Sequence, residues 1–83
     1  MFRDAGRGLG ISFALEAPSA VRLSVYDVAG RLVRKFEDAF LAGQYTVYWD
    51  GATPAGRPAS AGIYLLRLEA GGSTSSAKAV WRP

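Results

Sequence analysis

The stretch Gln44-Tyr45-Thr46-Val47-Tyr48-Trp49-Asp50-Gly51, followed by a loop over 52–62 and the run Ile63-Tyr64-Leu65-Leu66-Arg67-Leu68, decides the reading of the fold. Tyr45, Val47 and Trp49 alternate with Gln44, Thr46 and Tyr48, the period-two signature of a strand with one buried face. Trp49, the largest side chain on the apolar parity, is expected at the centre of the core. Asp50-Gly51 breaks the strand, and Gly56, Pro58 and Gly62 punctuate the loop until the apolar run restarts at Ile63.

Working outward, Ile11, Phe13 and Leu15 alternate with Ser12, Ala14 and Glu16, giving a strand that Pro18-Ser19 stops. Val21, Leu23 and Val25 alternate with Arg22, Ser24 and Tyr26 in the next. The turn Asp27-Val28-Ala29-Gly30 then places a carboxylate where it can accept backbone N–H groups and a glycine where the chain needs positive φ. Residues 31–40 carry Leu32, Val33, Phe36 and Phe40, a spacing that fits a helix at some positions. The bounding Gly30 and Gly43 favour a strand ending in an irregular segment. Gly71-Gly72 turns the chain into a last run, 73–82, in which Ala77, Ala79 and Trp81 share one parity and Lys78, Val80 and Arg82 the other, so pattern alone does not choose the buried face. Strands about ten residues apart, separated by glycine-bearing turns, make an all-β sandwich of six to seven strands.

A chain of 83 residues forms one domain, because at this size only about 60% of the unfolded surface is buried and no second core is affordable. Residues 1–10, with three glycines, two arginines and no periodicity, read as an arm or linker remnant ahead of a domain over 11–83. The chain has no cysteine and no histidine, which removes the usual nucleophile–base pairs and zinc ligands. No cofactor, no metal and no catalytic residue are expected. The formal charge of +3 comes from basic residues spread through nearly every segment, a solvated face and not a nucleic-acid surface. No run is long enough for a membrane span, and the first residues lack the apolar region of a signal peptide.

Three patterns bear on chemistry. Asp27 and Asp50 are carboxylates beside glycine turns, best read as Asx turns that hold loop amides. Gly6-Arg7-Gly8-Leu9-Gly10 has the glycines of a phosphate loop, but no strand leads into it and no helix follows. Among the aromatics, Tyr45, Trp49 and Tyr64 are assigned to the core by alternation, leaving Tyr26, Tyr48 and Trp81 as a stacking platform for sugars.

Taken together, Val21–Val33 with its Tyr26-Asp27-Val28-Ala29-Gly30-Arg31 turn, Ala42–Gly51 with Trp49-Asp50-Gly51, Gly56–Tyr64 with Gly62-Ile63-Tyr64, and Arg67–Gly71 carry a family likeness. Over about 11–82 the chain resembles the Ig-like (fibronectin III-like) antiparallel β-sandwich shared by the flagellar hook-capping protein and by C-terminal sorting domains of type IX secretion substrates. It departs at Thr53, where an acidic or amide residue is common, and at Ala79 in the last strand. The resemblance implies a structural framework of Asp27, Gly30, Trp49, Asp50, Gly51, Gly56, Gly62 and Tyr64. It also implies a non-catalytic module of an exported bacterial protein, extracellular or at the cell surface. Its partners would be proteins, either secretion or surface machinery or copies of itself, with Lys78, Val80 and Arg82 of the last strand as contacts. The alternatives are a self-assembling filament or scaffold subunit that exchanges its arm or an edge strand, and a carbohydrate-binding module.

Overall fold

The computed structural model describes residues 2–4 and 8–82, with side chains described for 8–82. Seven strands account for most of them: β1 (Phe2–Asp4), β2 (Leu9–Leu15), β3 (Ser19–Tyr26), β4 (Leu32–Phe40), β5 (Gly43–Trp49), β6 (Gly62–Ala70) and β7 (Ser73–Trp81). They form a smaller sheet in the order β1-β2-β5 and a larger one in the order β4-β3-β6-β7, every pair antiparallel. The expected all-β sandwich is the observed architecture. Among the described residues no helix is long and apolar enough to cross a membrane.

Alternation builds the core. Leu9 and Ile11 of β2, Leu23 and Val25 of β3, and Tyr64 and Leu66 of β6 face inward. β7 turns Ala77, Ala79 and Trp81 to the same side, with Lys78, Val80 and Arg82 outside. Trp49 is fully buried, its ring 5.1 Å from Tyr64 and 5.2 Å from Trp81. A second aromatic group, Phe13, Phe40 and Tyr45, closes the opposite end with centroid separations of 4.6–5.7 Å. Tyr45 is only half-buried, and its hydroxyl donates to Leu41 O at 2.8 Å.

Three expectations are corrected. The first strand of the sandwich begins at Leu9 rather than Ile11: Leu9 is 3% exposed and pairs with Trp49. Phe2–Asp4 adds a further strand beside it. Leu9 starts the alternation that Ile11 and Phe13 continue, and the surrounding glycines hide it. The rest of the arm, residues 1 and 5–7, and Pro83 lie outside the described residues. β4 is a continuous strand to Phe40, without an irregular end. Its helix-like spacing comes from a bulge: Val25 pairs with Arg34 and Tyr26 with Leu32, so Val33 is the extra residue and turns into the core. Trp81, assigned above to a surface platform, is 7% exposed and belongs to the core.

The loop between β5 and β6 is itself ordered. Ala52 and Pro58 form an antiparallel bridge, and Ala59 N donates to Gly51 O at 2.6 Å. Thr53 N donates to Arg57 O at 2.8 Å and Gly56 N to Thr53 O at 2.9 Å. Ala59 enters the core at 4% exposure, and Tyr64 Oη donates to Ser60 O at 2.7 Å. Removing the indole on which this loop rests should be costly. Trp49→Ala is expected to destabilise the domain by about 3–5 kcal/mol, measured by chemical denaturation, most of the stability of a domain of this size. A Trp49→Ala protein as stable as the wild type would show that the core lies elsewhere.

Candidate interaction surface

Two corners fix the geometry around the exposed strands. At the first, Trp49 Nε1 donates to Ala52 O at 3.1 Å, and the Ala52 N–H donates to Asp50 Oδ1 at 3.0 Å. Gly51 has φ of +80°, and a Cβ there would fall inside the Trp81 ring. At the second corner, the backbone N–H groups of Ala29 and Arg31 donate to Asp27 Oδ1 at 3.0 and 2.9 Å, and Arg31 Nε donates to Oδ2 at 3.0 Å. Gly30, at φ +83°, closes the turn by donating to Asp27 O at 3.0 Å. Both carboxylates are occupied as Asx turns. The Arg31 backbone N–H is the main reason that the Asp27 carboxyl is held below the usual aspartate range, with the Arg31 guanidinium acting in the same direction.

The outer face of the larger sheet is assembled by register. Tyr26 pairs with Leu32 on one side and Leu65 on the other, Leu65 with Lys78, and Ile63 with Val80. Ile63 and Val80 are 50% and 60% exposed, and Leu32 and Leu65 are exposed beside them. A shallow cleft of about 370 Å³ opens among Tyr26, Leu65, Arg67, Ser76 and Lys78. Toward the other end of the face the charges are matched: Arg22 and Lys35 each lie 3.1 Å from Glu37, and Arg67 is 3.8 Å from Glu69. Beside the aliphatic end, Lys78 and Arg82 have no ion pair among the described residues. An apolar strip edged by positive charge without an ion pair among the described residues sets this end of the face apart from the charge-matched end.

The model of the FlgD Ig-like domain family matches residues 3–74. The chain belongs to this family. Searches of curated proteins and of solved structures returned no match. An FlgD Ig-like domain is a structural module, and the turns at Asp27–Gly30 and Asp50–Gly51 lie within the matched residues. Gly56 lies in the ordered loop and Gly62 opens β6, at φ +81° and +153°, with open space where a Cβ would go. The family match ends at Thr74, so Lys78 and Val80 of β7, and Arg82 just after it, lie beyond the match.

Of the residues assigned to a sugar platform, none adjoins another. Trp81 is in the core, Tyr26 lies on the outer face of the larger sheet, and Tyr48, opposite Gly10, lies on that of the smaller. Ile63, Leu65 and Leu32 escaped the sequence reading as surface residues. The signal for Ile63 and Leu65 is the run Ile63-Tyr64-Leu65-Leu66, apolar on both parities, and for Leu32 it is its apolar neighbour Val33.

Two outcomes test the framework. Gly56→Ala meets only backbone strain, about 1–2 kcal/mol, whereas Gly51→Ala adds a collision with Trp81 worth about a further 1–3 kcal/mol. Similar unfolding midpoints for the two would show that the Gly51–Trp81 packing is absent in solution. For Asp27, a lowered native pKa means that the ionised form stabilises the fold. That contribution is complete above roughly pH 4 and is lost as pH falls through the lower native value. Denaturation midpoints of the wild type and Asp27→Asn are expected to differ at pH 7 and to draw together as pH falls below the usual aspartate range. A gap that persists unchanged in acid would contradict this linkage.

Proposed function

We propose that this FlgD Ig-like domain is a docking module of an exported bacterial protein, acting outside the cell or at its surface in the manner of the C-terminal sorting domains it resembles. Its partner is a protein held on the outer face of the larger sheet. The observation that carries this reading is the pairing of exposed Ile63 and Val80 next to Leu65, Tyr26 and Leu32, with Lys78 and Arg82 at the border and in no ion pair among the described residues. Single exposed aliphatics are ordinary, but a run reaching from β4 to β7 is not. Unbalanced positive charge at its edge selects a partner with an acidic rim and speeds encounter with it.

A second reading, self-assembly into a scaffold, is favoured by β5. This strand ends the smaller sheet, and Gly43–Trp49 contains no charged residue. The edge strand β4 carries Arg34, Lys35, Glu37 and Asp38, the usual guard against strand addition.

One comparison separates the two. A reporter fused to the domain is expected to lose export or surface attachment by about tenfold or more when Ile63 and Val80 are both replaced by Asp, the fold remaining intact by circular dichroism. Undiminished export from that folded variant would reject the docking face. Concentration-dependent sedimentation of the wild type, abolished by Thr46→Lys, would establish assembly through β5 in its place.

A further inference from the structure

β2 pairs with β5 along its whole length, from Leu9↔Trp49 to Leu15↔Gly43, but with β1 only over residues 9–11. Among the described residues no strand pairs with the other flank of Phe13, Ala14 and Leu15. Alternate N–H and C=O groups of an antiparallel strand point to each side, so this flank presents donors and acceptors with no ladder to receive them. Beside it runs a groove of about 270 Å³ lined by Ile11, Phe13, Leu23, Leu66, Leu68 and, across from β2, Ala77. A second groove of about 320 Å³ carries on past Leu15 and Ala70 to Ser73. The opposite rim is made of small side chains of β7, Ser73, Ser75 and Ser76. An apolar floor next to an open backbone edge fits an extended polypeptide, which alone supplies both side chains and a matching ladder.

We propose that this groove seats an extended strand continuing β1 on its N-terminal side, so that polypeptide leading into Phe2 is ordered along β2. The register Phe2↔Ile11, Arg3↔Gly10, Asp4↔Leu9 sets the direction. Extended ahead of Phe2, it lays successive residues opposite Ser12, Phe13, Ala14 and Leu15. Residues directly opposite share a face, and Phe13 and Leu15 share the parity of buried Leu9 and Ile11. The seated strand therefore needs apolar side chains opposite Phe13 and Leu15. At the other two positions it needs polar ones, beside Ser12, whose hydroxyl lies 3.0 Å from that of Thr46. A segment supplied by the same chain has the advantage over a separate peptide, because β1 is already in register and no translational freedom is lost. The consequence is mechanical: whatever is joined to the domain through Phe2 is held by a β-ladder and not by a free linker.

The test places Val-Thr-Val-Thr directly ahead of Phe2, in place of Met1, and compares it with Thr-Val-Thr-Val and Gly-Ser-Gly-Ser at the same position. Amide hydrogen exchange over residues 12–15 and the melting temperature are the readouts. Val-Thr-Val-Thr is expected to slow exchange there by about tenfold or more and to raise the melting temperature by several degrees over Gly-Ser-Gly-Ser. Thr-Val-Thr-Val, which turns its valines to solvent, gains less. Equal exchange and melting in all three forms overturns the proposal. So does protection that appears only with concentration-dependent dimerisation, since the strand would then lie on a second copy.

Discussion

Trp49 joins elements that would otherwise have little reason to stay together. It is the last residue of β5 in the smaller sheet, its ring contacts Tyr64 of β6 and Trp81 of β7 in the larger sheet, and its Nε1 donates to Ala52 O at the start of the long loop. No disulfide assists, since the chain has no cysteine. In a domain of this size the net stability is a small difference between large terms. One fully buried indole that bridges both sheets and also satisfies a loop carbonyl therefore weighs heavily in the balance.

The same packing dictates which backbone positions tolerate a side chain. Gly8 sits so close to the Trp49 carbonyl, and Gly51 to the Trp81 ring, that a Cβ at either place would overlap them. Both also hold positive φ. The two tryptophans are unequal partners, however. Trp81 Nε1 is buried without an acceptor among the described residues. An unpaired buried donor costs about 1–3 kcal/mol. Trp81 thus contributes ring contact and volume, whereas Trp49 contributes these and a hydrogen bond.

The parts legible in the sequence are those set by short-range chemistry. Alternation through Tyr45, Val47 and Trp49 marks a strand and its buried face without reference to any neighbour. Asp27 and Gly30 mark a turn because the carboxylate serves amides only two and four residues away. What escaped depends on distant partners. Val33 enters the core through a bulge defined against β3. The inward face of β7 is undecided on its own, since Ala79 and Val80 are both apolar, and only its pairing with β6 places Ala79 beside buried Tyr64. The outer apolar strip requires knowing that Ile63, Leu65, Val80, Tyr26 and Leu32 are neighbours across strands far apart in the chain. No window of sequence contains that information.

The two outer faces of the sandwich answer differently to the question of what folding needs. On the smaller sheet the outward positions Ser12 and Thr46 are polar, lie opposite each other and have their hydroxyls within hydrogen-bond distance. Threonine is as good a strand former as the β-branched aliphatics, so a sheet can present such a face at no loss of backbone preference. The larger sheet does not. Ile63 and Val80 stand exposed where threonine would serve the strand equally well and keep the surface wetted. Their exposure is not forced by the core, which is complete on the other side of the same strands with Tyr64, Leu66, Ala79 and Trp81. A surface that carries a solubility cost without a folding benefit is what the proposed docking of a protein partner accounts for. Lys78 and Arg82, without an ion pair among the described residues, would give that contact its sign.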